Sequence, residues 1–119
     1  MSAKLLTHRE TAYICRSLSG LLHTGICVAE GCHLLSQEEH GVLTVLLSQL
    51  GNRLDEGMPF AQALEESHCF PTATIGLIRT GEYAGRLEEA LLSAAIFHET
   101  RERTSRQVKN AIGYPLILL

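Results

Sequence analysis

Apolar residues recur along this chain at intervals of three and four, the period of a helix with one buried face. Ile14, Leu18, Leu21 and Leu22 form the first such stripe. Thr7-His8-Arg9-Glu10 precedes it with capping-box spacing, an acceptor side chain at the N-cap and Glu three residues on. Gly25 follows the stripe and predicts a left-handed C-cap. A short second helix is expected over residues 28–35. Ser36-Gln37-Glu38-Glu39 repeats the capping-box spacing and predicts the start of a longer third helix, with Leu43, Leu46, Leu47, Leu50 and Leu54 on one face. Gly57 ends that helix, and Pro59 suits the first turn of a fourth over residues 60–67. Pro71 opens a fifth helix carrying Ile75, Leu77 and Ile78, with Gly81 expected as its positive-φ stop. The sixth begins near Gly85 or Arg86 and aligns Leu87, Ala90, Leu91, Ala94 and His98, with Phe97 beside them. It meets no breaker before Gly113, so it should run about 27 residues, or roughly 40 Å.

No segment alternates apolar and polar residues in the manner of a strand. Six helices joined by short loops predict an all-α fold, a compact antiparallel six-helix bundle. A weak internal echo supports pairing of the helices. Gly25-Ile26-Cys27-Val28-Ala29-Glu30 and Gly57-Met58-Pro59-Phe60-Ala61-Gln62 each follow a longer amphipathic helix. Any helix–Gly–helix corner would share part of that pattern.

Composition narrows the class of protein. The chain has 119 residues, one domain's worth, of which 45% are apolar and 19% charged, so disorder driven by charge is excluded. Trp is absent and there are three Tyr and three Phe, so the core must be aliphatic. A net charge of -3 argues against a nucleic-acid partner, which usually selects a basic excess.

The two ends differ. Lys4, His8, Arg9 and Glu10 interrupt the apolar run a signal peptide would need. Tyr114-Pro115-Leu116-Ile117-Leu118-Leu119 is strongly apolar, though a membrane span needs roughly 20 such residues. The expectation is a helical-bundle domain over residues 1–113, with residues 114–119 starting a transmembrane helix. Arg101, Arg103, Arg106 and Lys109 stand just before it against the single acid Glu102, the charge bias of a cytoplasmic flank. A solvated helix face accounts for those bases equally well.

Candidate chemistry is sparse. Cys15, Cys27, Cys32 and Cys69 lack the paired spacing of a zinc knuckle, and Cys15 falls within an apolar stripe as a buried thiol would. His23, Cys27, Cys32 and His33 are close in sequence, but Gly25 and Gly31 interrupt any regular presentation of a metal site. Glu65-Glu66 and Glu88-Glu89 are adjacent pairs whose members point apart around a helix, so neither is a facing catalytic pair. No phosphate-cradling glycine loop is found. Glu82 and Glu88 flank the expected start of the sixth helix, where an acid favours the helix dipole. Two other roles stay open for Glu82: a pair with Arg79 or Arg86 or an interface contact, and a weak divalent-cation site, calcium for example, with Glu88 or Glu89. Neither an enzymatic activity nor a required cofactor is expected.

Taken in order, the helix corners carry a resemblance. They are Leu21-Leu22-His23-Thr24-Gly25-Ile26, Gly57-Met58-Pro59-Phe60-Ala61-Gln62-Ala63-Leu64, Phe70-Pro71, Leu77-Ile78-Arg79-Thr80-Gly81-Glu82-Tyr83-Ala84-Gly85-Arg86-Leu87, and Ala111-Ile112-Gly113-Tyr114-Pro115. This series resembles the type II secretion system F domain, the first cytoplasmic module of the inner-membrane platform protein of type II secretion and type IV pilus machines. The Gly-Glu-x-x-Gly-x-Leu stretch at Gly81, Glu82, Gly85 and Leu87 is its most specific part. Cys27 departs from the common apolar or Pro residue, and Phe60 and Ala61 from the common Leu and Ser, which leaves the cap of the fourth helix unassigned.

The resemblance implies a non-enzymatic scaffold on the cytoplasmic face of a bacterial inner membrane. Its implied partners are the cytoplasmic secretion ATPase, other inner-membrane platform proteins, and a second copy in a homodimer, with membrane attachment through the adjoining transmembrane helix. The small residues Ala90, Ala94 and Ala95 on the sixth helix would permit close packing between copies. A rival reading comes from His98-Glu99-Thr100-Arg101-Glu102-Arg103-Thr104, which resembles the phospho-accepting box of sensor-kinase dimerisation helices and implies a dimeric phosphotransfer domain using His98.

Overall fold

A computed structural model describes residues 5–118, with side chains described over residues 5–102. Six helices follow in order: α1 (His8–His23), α2 (Val28–Glu38), α3 (Val42–Asp55), α4 (Phe60–Ser67), α5 (Thr72–Tyr83) and α6 (Leu87–Leu118). Among the described residues there is no strand. The all-α class and the six-helix bundle follow the hydrophobic periodicity.

The helices pack antiparallel in sequence-adjacent pairs, α2 on α3 and α4 on α5, while α6 lies between α1 and α5. Cross-bonds fix the directions. His8 meets His98 while His23 meets Glu88, so α1 runs opposite to α6. Phe60 meets Glu82 while Glu65 meets Arg79, so α4 runs opposite to α5. The core is aliphatic as composition requires: Ile14, Leu18, Leu47, Leu50, Leu64, Ile78 and Leu91 are all buried, closed by Phe60 and Phe70. Cys15 and Cys32 lie within it as free thiols, and burial pushes both up to about 12.

Three corners share one turn. Gly25, Gly57 and Gly85 have φ of 96°, 98° and 74° and follow α1, α3 and α5. In each, the glycine amide bonds the carbonyl three residues back, and the next amide bonds the carbonyl five back: Ile26 to Leu21, Met58 to Arg53, Arg86 to Gly81. This paired closure is the Schellman motif, and it needs a residue without Cβ at the left-handed position.

Several expectations are corrected. Gly81 is not the stop of α5, since it lies inside the helix and Gly85 takes the positive φ. A Cβ on Gly81 would fall within 2.3 Å of the Ala90 Cβ, so its bare backbone serves the close crossing of α5 and α6. Ser36 does not cap α3: its hydroxyl donates to the His33 carbonyl at 2.6 Å, and α2 continues to Glu38. The chain then turns through Gly41, at φ 68°, into α3. Pro59 and Pro71 are N-caps, one position before the first turn. Ala90, Ala94 and Ala95 are buried within the domain, so the small-residue stripe of α6 is used by α5 and the bundle core. α6 itself runs 32 residues, past Gly113. The side chains of Tyr114 and Pro115, and the expectation of a membrane helix from residue 114, lie outside the described side chains. Among the described residues no helix is long and apolar enough to cross a membrane.

Candidate functional site

The corner between α3 and α4 poses a hydrogen-bonding problem. Pro59 occupies the N-cap of α4 and offers no side-chain acceptor, so the first amides of that helix need a partner from elsewhere. Glu82, in the last turn of α5, supplies it. The Phe60 amide donates to Glu82 Oε2 at 2.6 Å and the Ala61 amide to Oε1 at 3.0 Å. Both carboxylate oxygens thus sit on the N-terminus of α4, where backbone donors and the helix dipole favour an anion. The unassigned cap of α4 is a side chain from a different helix.

This contact ties the Gly81-Glu82 stretch to α4 on one side, while its glycine faces α6 on the other. Gly81 lets α6 approach, Glu82 holds α4, and Gly85 turns the chain into α6. Phe70, in the loop between α4 and α5, is buried in the core and Leu87 packs at the core's edge. Beside Glu82 opens a shallow groove between α4 and α5, lined by Pro59, Ala61, Gln62, Glu65, Arg79 and Tyr83. The Tyr83 ring stands 95% exposed at its rim. Glu65 pairs with Arg79 across it at 3.3 Å.

The three carboxylates considered for a cation go to three different partners. Glu82 caps α4, Glu88 bonds His23 at 3.0 Å, and Glu89 faces Arg86 at 3.4 Å. His23, Cys27, Cys32 and His33 likewise disperse: Cys32 enters the core and His33 bonds Asp55 at 2.8 Å. Among the described residues no three His, Cys, Asp or Glu side chains form a metal-binding group.

His98 occupies a second polar locus. Its ring is 1% exposed, between α1 and α5. Nδ1 lies 2.7 Å from His8 Nδ1, and Nε2 lies 2.7 Å from the Thr74 hydroxyl. Burial, and then the fields of His8 and Arg101, push its pKa below the ordinary histidine value. A phosphoaccepting histidine needs a free nitrogen facing solvent, and here both ring nitrogens are engaged in the interior. Sequence spacing could not reveal this locus, because His8, Thr74 and His98 come from three helices far apart in the chain. The Glu82 cap had one legible signal, a proline at an N-cap with no acceptor of its own.

Comparison with known proteins adds an independent finding. A family described as Type II secretion system (T2SS), protein F matches residues 14–119. The chain is similar to the Protein transport protein HofC homolog of Escherichia coli (strain K12), with 32% identity over 92% of this chain and 28% of that protein. It is similar to the Type II secretion system protein F of Pseudomonas aeruginosa, with 29% identity over 98% of this chain and 29% of that protein. It is also similar to the Type IV pilus assembly protein PilC of Thermus thermophilus, with 27% identity over 92% of this chain and 27% of that protein. The chain thus spans under a third of the length of these relatives.

Proposed function

The chain belongs to the type II secretion system protein F family, and from that premise we propose that it is a non-enzymatic platform domain coupling a cytoplasmic secretion ATPase to pseudopilus or pilus assembly. The family match across residues 14–119 carries this reading, together with relatives named for protein transport, type II secretion and type IV pilus assembly. In this reading the domain sits on the cytoplasmic face of the inner membrane, anchored through a membrane helix that α6 leads into. Its helical surfaces bind the ATPase and other platform proteins, and two copies associate. The buried alanines of α6 leave that association to exposed apolar positions, of which Leu77 and Phe97 frame a small groove with Ala73 and Ala94.

The physical case for a scaffold is the way the corners are closed. A domain that transmits force between partners must not hinge at its loops, and here three corners are locked by paired backbone bonds and a fourth contact by Glu82. The test is retention of the ATPase from the same genome on the immobilised domain, with sedimentation of the free domain alongside. Retention of the ATPase and a dimer mass are expected. Clean deletion of the full-length gene should abolish secretion or piliation, and intact secretion and piliation after deletion would refute the reading.

A further inference from the structure

The histidine locus has no part in the scaffold reading. His8 stands exposed in the first turn of α1, His98 is buried at mid-α6, and Thr74 is buried in the first turn of α5. Two imidazole nitrogens of one kind, 2.7 Å apart, share a single proton. If His8 Nδ1 carries it, His98 Nδ1 accepts and His98 Nε2–H donates to the Thr74 oxygen. If His98 Nδ1 carries it, His8 accepts and the Thr74 hydroxyl donates to Nε2. Both arrangements close the chain His8–His98–Thr74 with neutral rings. A second proton on His98 leaves it with two N–H donors: Thr74 still accepts one, but His8 Nδ1 accepts the other only while His8 stays neutral. When both rings are charged, two N–H groups face each other and the contact cannot persist.

We infer that His8, His98 and Thr74 form a proton-operated clasp, closed when the rings are neutral, which releases the first turn of α1 from α6 when both histidines are protonated. Among the described residues, each helix packed there contributes a facing group. α1 contributes His8, α5 contributes the uncharged Thr74 hydroxyl, and α6 contributes Arg101, whose guanidinium lies over the Phe97 ring beside His98 at 4.9 Å. Burial opposes a charge on His98, and so do His8 and Arg101. The sign follows. The folded domain binds its proton on His98 more weakly than the unfolded chain does, so stability is complete above the ordinary histidine range and falls as pH drops through it. The release is local, because α1 remains held farther along by Ser19 on the Glu88 carbonyl and by Arg16 on Glu99.

Amide hydrogen exchange of the 119-residue chain at about pH 7.5 and about pH 5.5, corrected for intrinsic rates, reads the clasp directly. Exchange in the first turns of α1 should accelerate about tenfold or more at the lower pH, with α3 and α4 unchanged. His98→Gln, which keeps a donor and an acceptor without titrating, should remove the acceleration. His8→Asn does the same from the exposed side of the pair, where no core packing is lost. Ring nitrogen shifts should show one shared proton at the higher pH, and any added ring proton at the lower pH should appear together with the faster exchange of α1. Equal acceleration in the wild type and both variants overturns the clasp, as does a wild type whose α1 exchange does not change with pH.

Discussion

Glu82 lies 22 positions from the Phe60 amide it accepts from, and that separation governs how its role could be known. A local cap announces itself within four residues, as Thr7 and Glu10 do: Thr7 Oγ1 accepts from the Glu10 amide at 3.0 Å, and Glu10 Oε1 accepts from the Thr7 amide at 2.9 Å. A cap borrowed from another helix exists only once α4 and α5 have packed. The motif position of Glu82 is therefore legible in the sequence, whereas its work is done at the N-terminus of α4 and not at that of α6. The structural role makes a sharp expectation. Glu82→Ala leaves two amides of α4 without their acceptor and should destabilise the domain by about 1–2 kcal/mol. Glu82→Gln keeps one acceptor oxygen and should lose about half as much, about 0.5–1 kcal/mol. Urea denaturation measures both. Exchange of the α4 amides should rise in each variant while that of α1 stays constant, and an unchanged urea midpoint for Glu82→Ala would count against the cap.

At the scale of elements, the sequence revealed existence and type far better than ends. All six helices were legible because each buries an apolar stripe with helical period, and Leu46, Leu47 and Leu50 of α3 occupy the core as that stripe requires. The boundary errors have local causes. Ser36 carries a cap-like spacing, yet its hydroxyl finds the His33 carbonyl one turn earlier and the helix simply continues. Gly81 and Gly85 compete for the same stop, and the sequence does not say which one needs positive φ and which needs a missing side chain. Packing decides it: Gly85 is open to solvent on its Cβ side, whereas Gly81 faces Ala90. The crossing of α5 and α6 should therefore show coupling. Gly81→Ala overpacks the contact and should destabilise by about 1–3 kcal/mol despite the better helix propensity of alanine. Ala90→Gly alone should lose about 1 kcal/mol through the helix it weakens. Combined, the two should lose clearly less than their sum, because the space vacated at residue 90 receives the new methyl at residue 81. Strict additivity in thermal or urea unfolding would place the close approach elsewhere.

For the whole molecule, the question is whether six short helices open as one unit. Charge is distributed unevenly, with bases concentrated over residues 101–109 and acids over the bundle, but charge does not set cooperativity; the shared core does. Cys15 on α1 and Cys32 on α2 report on that core from two elements. Both are buried, and burial raises both thiols to about 12, so at neutral pH neither is exposed nor ionised in the closed state. Cys27 is exposed and Cys69 half-buried, so these two should react with a thiol reagent at once. Cys15 and Cys32 should react only through opening, and in a single cooperative unit they must do so at one common rate. That rate should follow the urea dependence of global unfolding. The clasp adds a condition that separates local from global motion. Near pH 5.5 the first turns of α1 loosen, yet Cys15 lies a further turn along, next to the hold of Arg16 on Glu99 and one turn before that of Ser19 on the Glu88 carbonyl. Its labelling should stay matched to Cys32 at about pH 5.5, after correction for the lower thiolate fraction. A Cys15 rate that overtakes Cys32 at low pH would mean that α1 departs whole, and that the bundle is two cooperative units rather than one.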